Sequence, residues 1–137
     1  GLLHDIDIEA VGGDLSRHGL EAVRILSEAG IDPEIVEAVK MHNESVCDTG
    51  RCTEFQHALA AGETITGLIV ATAYVYPDRK IASVKAKSIT KRMKEKAFAA
   101  SVNRDTIREC EKIGLPLDEF VEISLAGMRQ IAGRIGL

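Results

Sequence analysis

Histidines and carboxylates carry most of the reactive chemistry in this 137-residue chain. His4 and Asp5 are adjacent, and together they offer a neutral imidazole nitrogen and a hard carboxylate oxygen. Such a mixed donor set suits Mn, Fe, Zn, Ni or Mg rather than soft-metal chemistry. The other histidines are His18, His42 and His57. Three of the four fall in apolar stripes or stretches, where a lone histidine is most often a hydrogen-bonded core residue. Glu63 falls on the side of a long segment that also carries Leu59, Thr66 and Val70. An unpaired charge buried there is costly, and either a cation or an arginine would relieve it. Cys47 and Cys52 have the loose spacing C-x4-C and no second pair to close a zinc site, so they read as reduced loop thiols.

The elements that must position these residues read as helices, with no alternating strand. Asp14 or Ser16 can cap a first helix reaching Ala29, with Gly30 beyond its end and His18, Ala22, Ile25 and Ala29 on one face. Asp32-Pro33 reads as N-cap and first-turn proline of a second helix to Asn43, with Ile35, Val39 and His42 along its inner stripe. Residues Ser45 to Thr53 read as a loop. A long helix follows from Glu54 to Tyr76, ended by Pro77-Asp78. A basic helix spans Val84 to Lys96, with a turn at Phe98 to Ser101. Asn103 caps the next helix and Gly114 stops it. Leu117 or Asp118 opens a final helix striped with Phe120, Ile123, Met128 and Ile131. The chain therefore reads as a single all-α domain over residues 1–137.

Composition narrows the function classes. Only five residues are aromatic, which disfavours modules that stack bases on an aromatic sheet. The net charge of −4 hides an asymmetry. Residues 1–63 hold thirteen acids against four Lys or Arg, and residues 64–137 hold eight against thirteen. From Arg79 to Lys96 there are eight Lys or Arg and one acid, Glu95. That run is either a solvated helix face or a phosphate-facing patch. No dedicated nucleic-acid binding is expected. No run is long and apolar enough for a bilayer, and three unframed cysteines suit a reducing, cytoplasmic setting.

Leu2-Leu3-His4-Asp5-Ile6-Asp7 resembles the signature of the HD superfamily of metal-dependent phosphohydrolases, and further segments follow in order. Ser16-Arg17-His18-Gly19 through Ile25-Leu26, and Ala38 through Glu44, resemble the two His-bearing helices that come next. Ala60-Ala61-Gly62-Glu63-Thr64-Ile65-Thr66-Gly67-Leu68-Ile69 resembles the helix with the last acidic ligand. Val84 to Arg104, with Lys87-Ser88 and Lys96-Ala97-Phe98, is similar to a small bacterial and archaeal subgroup of predicted HD hydrolases.

The resemblance implies a compact helical bundle of the HD-domain type, with about six to seven helices. Its first histidine-bearing helix would lie upstream of residue 1, as expected of an N-terminally shortened chain. The family's central pair maps onto His4 and Asp5, and its final aspartate onto Glu63, a longer side chain. His18 and His42 match the positions that add ligands in members with two metals. The implied cofactor is one or two divalent ions, with Asp5 as the catalytic, bridging carboxylate. The implied reaction is hydrolysis of a phosphomonoester or phosphodiester by metal-activated water, on a small phosphorylated substrate resembling a nucleotide. Arg17, Lys40, Lys85 and Lys87 are candidate phosphate contacts. Asp7 and Glu44 are candidate supports or proton acceptors beside the motif, and His57 a residue orienting a ligand. The alternatives are a catalytically silent HD-fold module that binds metal or ligand for regulation, and a structural domain with core histidines. Homo-oligomerisation is left open.

Overall fold

The structure, a computed structural model, describes residues 1–46 and 49–137. Among these the chain is all-helical, without strands. The helices are α1 (Leu20–Glu28), α2 (Pro33–His42), α3 (Glu54–Tyr74), α4 (Ala86–Arg92), α5 (Arg104–Ile107) and α6 (Leu117–Ile135). Cys47 lies outside the described residues, so the C-x4-C pair is represented only by Cys52, a free, exposed thiol. The chain divides into two compact units, Gly1–Ala60 and Ala61–Leu137, where the sequence pattern suggests one domain.

In the first unit, residues 2–13 form successive hydrogen-bonded turns. Examples are Ile6 N–H to Leu3 O and Ile8 N–H to Asp5 O. The expected first helix begins later than its Asp14 or Ser16 cap. Asp14 closes a local turn instead, accepting from the Ser16 N–H at 2.9 Å and the Ser16 hydroxyl at 2.7 Å. The helix proper starts at Leu20 because Gly19, with φ of +89°, breaks the regular backbone. A Cβ at Gly19 would also stand 3.3 Å from the Lys40 carbonyl oxygen. Glycine thus brings the start of α1 against α2.

The second cap matches expectation, since Asp32 accepts from the Glu34 N–H at 2.8 Å with Pro33 in the first turn. The predicted inner stripe shifts by one residue: Val36, Val39 and His42 are buried, while Ile35 is exposed. α1 likewise buries Ala22 and Leu26 rather than Ile25 and Ala29. The apolar core of this unit is Ala22, Leu26, Val36, Ala38, Val39 and Leu59. A capping box starts α3. The Thr53 hydroxyl accepts from the Gln56 N–H, and the Gln56 side-chain oxygen Oε1 accepts from the Cys52 and Thr53 N–H groups.

In the second unit, α3 buries Ala61, Ile65, Leu68, Ile69, Thr72 and Ala73. The side carrying Glu63, Thr66 and Val70 is only half-buried. α4 is shorter than the predicted Val84–Lys96 because Val84 and Lys85 are extended and turns replace helix after Arg92. Asn103 caps α5 as expected, accepting from the Asp105 and Thr106 N–H groups. The chain tightens into a 3-10 helix over Arg108–Ile113, which Gly114 ends at φ +77°. α6 packs on α4 and buries Phe120, Val121, Leu125 and Met128. Ile123 and Ile131 of its predicted stripe are instead 53% and 42% exposed.

Candidate metal centre

The first unit brings His4, Asp5, His18 and His42 into one cluster. His4 and Asp5 come from the turns before α1, His18 from the bend just ahead of it, and His42 from the last turn of α2. The Nε2 atoms of His18 and His42 stand 3.0 Å apart. Asp5 Oδ1 is 3.4 Å from His18 Nε2 and 3.7 Å from His42 Nε2. His4 Nε2 lies 3.2 Å from Asp5 Oδ2. The rings of His4 and His18 both meet the His42 ring edge-on, at centroid separations of 5.2 and 4.8 Å. His18 and His42 are buried, whereas the Asp5 side chain is 54% exposed and opens the cluster to solvent.

The second nitrogen of each ring is held by an oxygen. His18 Nδ1 meets Asp7 Oδ1 at 2.7 Å. His42 Nδ1 meets the Val39 carbonyl, and His4 Nδ1 meets the Gly1 carbonyl at 2.6 Å. A carbonyl oxygen only accepts, so Nδ1 of His42 and of His4 must carry hydrogen. With Asp7 as a carboxylate, every Nε2 of the neutral rings presents a lone pair, and each lies within 3.7 Å of an Asp5 oxygen. Two lone pairs 3.0 Å apart repel unless a proton or a cation lies between them.

The donor set fits a divalent ion. Asp5, His18 and His42 each offer a ligand atom, all within 4.8 Å of one another. Tetrahedral zinc with bonds of about 2.0–2.2 Å needs donors about 3.3–3.6 Å apart. The separations of 3.0, 3.4 and 3.7 Å bracket that edge length.

Asp7 is fully buried. Its Oδ2 accepts from the Gly19 and Ala22 N–H groups, each at 2.8 Å, at the start of α1. Burial opposes its ionisation, but these two amides and the His18 ring outweigh it and hold the carboxyl below its ordinary pKa. Asn43 provides a second strut. Its Nδ2 donates to the Leu15 and His18 carbonyls, both at 2.8 Å, which ties the end of α2 to the His18 bend. The sequence carried a hint of Asp7 as an acid beside the motif, but nothing in it singled out Asn43.

The remaining candidates occupy varied settings. Arg17 is exposed, and half-buried Lys40 lies 3.7 Å from Glu37 on its own helix. Glu44 accepts from Arg51 at 2.8 Å, and His57 is buried. Glu63, Lys85 and Lys87 belong to the second unit. The Glu63 carboxylate accepts from the Thr64 hydroxyl at 2.8 Å, and the Lys85 N–H donates to the Tyr76 hydroxyl. Exposed Lys87 lines a groove of about 470 Å³ with Lys91, Lys94, Asp118 and Glu122. Among the described residues no helix is long and apolar enough to cross a membrane.

Comparison of the chain with protein-family models, with curated proteins and with solved structures gives no match. The all-helical fold and the three-histidine, one-carboxylate cluster are therefore the grounds for a functional reading.

Proposed function

We propose that this chain is a metal-dependent phosphohydrolase of the HD class, acting on a small phosphorylated compound of nucleotide type. The observation that carries the reading is the convergence of His4, His18 and His42 Nε2 on the Asp5 carboxylate, with each Nδ1 engaged elsewhere. These four side chains would hold a divalent ion. Such an ion, when bound, supplies a water of lowered pKa and polarises a phosphoryl oxygen.

The protein's own groups do the rest. The imidazoles keep their Nε2 lone pairs fixed, so little reorganisation is needed on loading. Asp5, exposed to solvent, is placed to accept the proton of the attacking water. Arg17 and Lys40, the latter paired with Glu37, are the candidate cations of the same unit for offsetting phosphoryl charge, and Lys85 and Lys87 extend the basic character of the second unit.

The test is metal analysis of the purified chain, followed by hydrolysis assays on nucleotides and p-nitrophenyl phosphoesters with Mn, Mg, Ni and Co. Metal uptake with metal-dependent hydrolysis is the expected result. No uptake of any of these ions, or of zinc, would overturn the reading. Uptake without hydrolysis would favour the regulatory, metal-binding module.

A further inference from the structure

We propose that Asp7 is a positioning residue of this centre, whose carboxylate fixes His18 in the tautomer that aims the Nε2 lone pair at Asp5 and His42. The metal-affinity arm of this inference rests on the cluster being a metal centre; the tautomer arm does not. His42 needs no such residue, because its Nδ1 is held by the Val39 carbonyl, which can only accept. His18 differs in depending on a side chain. Its Nδ1 faces Asp7 Oδ1 at 2.7 Å, inside the fold. Asp7 is in turn immobilised by Gly19 and Ala22, so carboxylate, imidazole and the first turn of α1 form one rigid unit. A carboxylate accepting from Nδ1–H also makes Nε2 a better electron donor toward a cation.

A helix-capping role and a tautomer-setting role make different predictions for Asp7→Asn. The amide oxygen can still accept from Gly19 and Ala22, which preserves the cap. The amide nitrogen then faces His18 Nδ1 and can only donate, so the ring proton is driven to Nε2. That nitrogen would point a hydrogen at the cluster where the wild type points a lone pair. The substitution thus changes little in shape and reverses the sense of one hydrogen bond.

The experiment combines imidazole 1H–15N NMR of metal-free protein with zinc and manganese titrations of wild type and Asp7→Asn. The wild type is expected to carry hydrogen on His18 Nδ1, whichever ring holds the proton between the two Nε2 atoms, and the variant to lose it from Nδ1. Metal affinity is expected to fall roughly 10- to 100-fold in the variant, the range for removing such an outer carboxylate. Circular dichroism should remain helical. An unprotonated His18 Nδ1 in the wild type, or a folded variant with Nδ1 still protonated and affinity unchanged, would overturn the proposal. Should Asp7→Asn fail to fold, the wild-type tautomer alone decides. A wild type that binds no metal would sink the functional reading, while the NMR result would still judge Asp7.

Discussion

Residues Gly1–Ala60 bury Asp7, His18, His42, Asn43, Gln56 and His57, whereas the buried polar side chains described in Ala61–Leu137 are Thr72 and Thr106. Among the described residues the contiguous apolar clusters are correspondingly unequal, with six buried members in the first unit and fifteen in the second. Hydrogen bonds and packing also fail differently. A bond is directional and is lost when one atom changes its donor or acceptor sense. A close-packed apolar core responds instead to volume. The first unit is therefore arranged around atom positions, and the second around filled space.

The largest effects should fall on metal uptake by the first unit. His18→Ala, His42→Ala or Asp5→Ala should abolish it, read as metal per chain by elemental mass spectrometry. His4→Ala should do so too, whereas His57→Ala should leave most of it. Equal losses from all five would dissolve the distinction between cluster and surrounding core. Leu68→Ala in the second unit should cost about 2–5 kcal/mol, read by denaturant unfolding, because it leaves a cavity under a fully buried side chain. Its metal stoichiometry should stay at the wild-type value, and a loss there would break the contrast between the units.

Smaller effects sharpen the same contrast within the second unit. Asn103→Ala removes the side-chain cap of α5 and should cost about 1 kcal/mol, seen as a lowered Tm. The smallest expected effect concerns Asp78. The Ser83 hydroxyl and then the Lys80 N–H hold its carboxyl below the ordinary value, outweighing the opposing effect of burial. Because the folded pKa is the lower one, the associated stability is complete above the unfolded pKa and fades as pH falls through the folded one. Ser83→Ala should raise the Asp78 pKa, measured by carboxyl 13C titration. An unchanged value would remove the Ser83 bond from the account.

How much of this was legible in the sequence varies by element. Local chemistry was plain: Asp32-Pro33 starts α2, Asn103 starts α5 and Gly114 stops the 3-10 helix after it, because each acts on backbone groups within a few residues. The Thr53-x-x-Gln56 box was also present to be read. Helix faces were less legible. The i, i+4 pattern placed Ile35, Ile123 and Ile131 inward, but which side of a helix is covered depends on its neighbours, and neighbouring apolar positions took the core instead. The start of α1 was misplaced for a related reason. Gly19 and Asp7 determine it together, twelve residues apart, through a bond no local signal announces.

The sequence by itself therefore determined the helical class, most helix ends and the residue types able to ligate a metal. Those follow from periodicity, capping and side-chain chemistry, which are properties of short stretches. The HD resemblance grouped His4, Asp5, His18 and His42 as candidate ligands, but only the tertiary structure gave their contacts within the first unit and made Asp7 and Asn43 the holders of the His18 bend. Orienting a buried imidazole takes acceptors from distant parts of the chain, and their identity is set by folding rather than by spacing along the sequence.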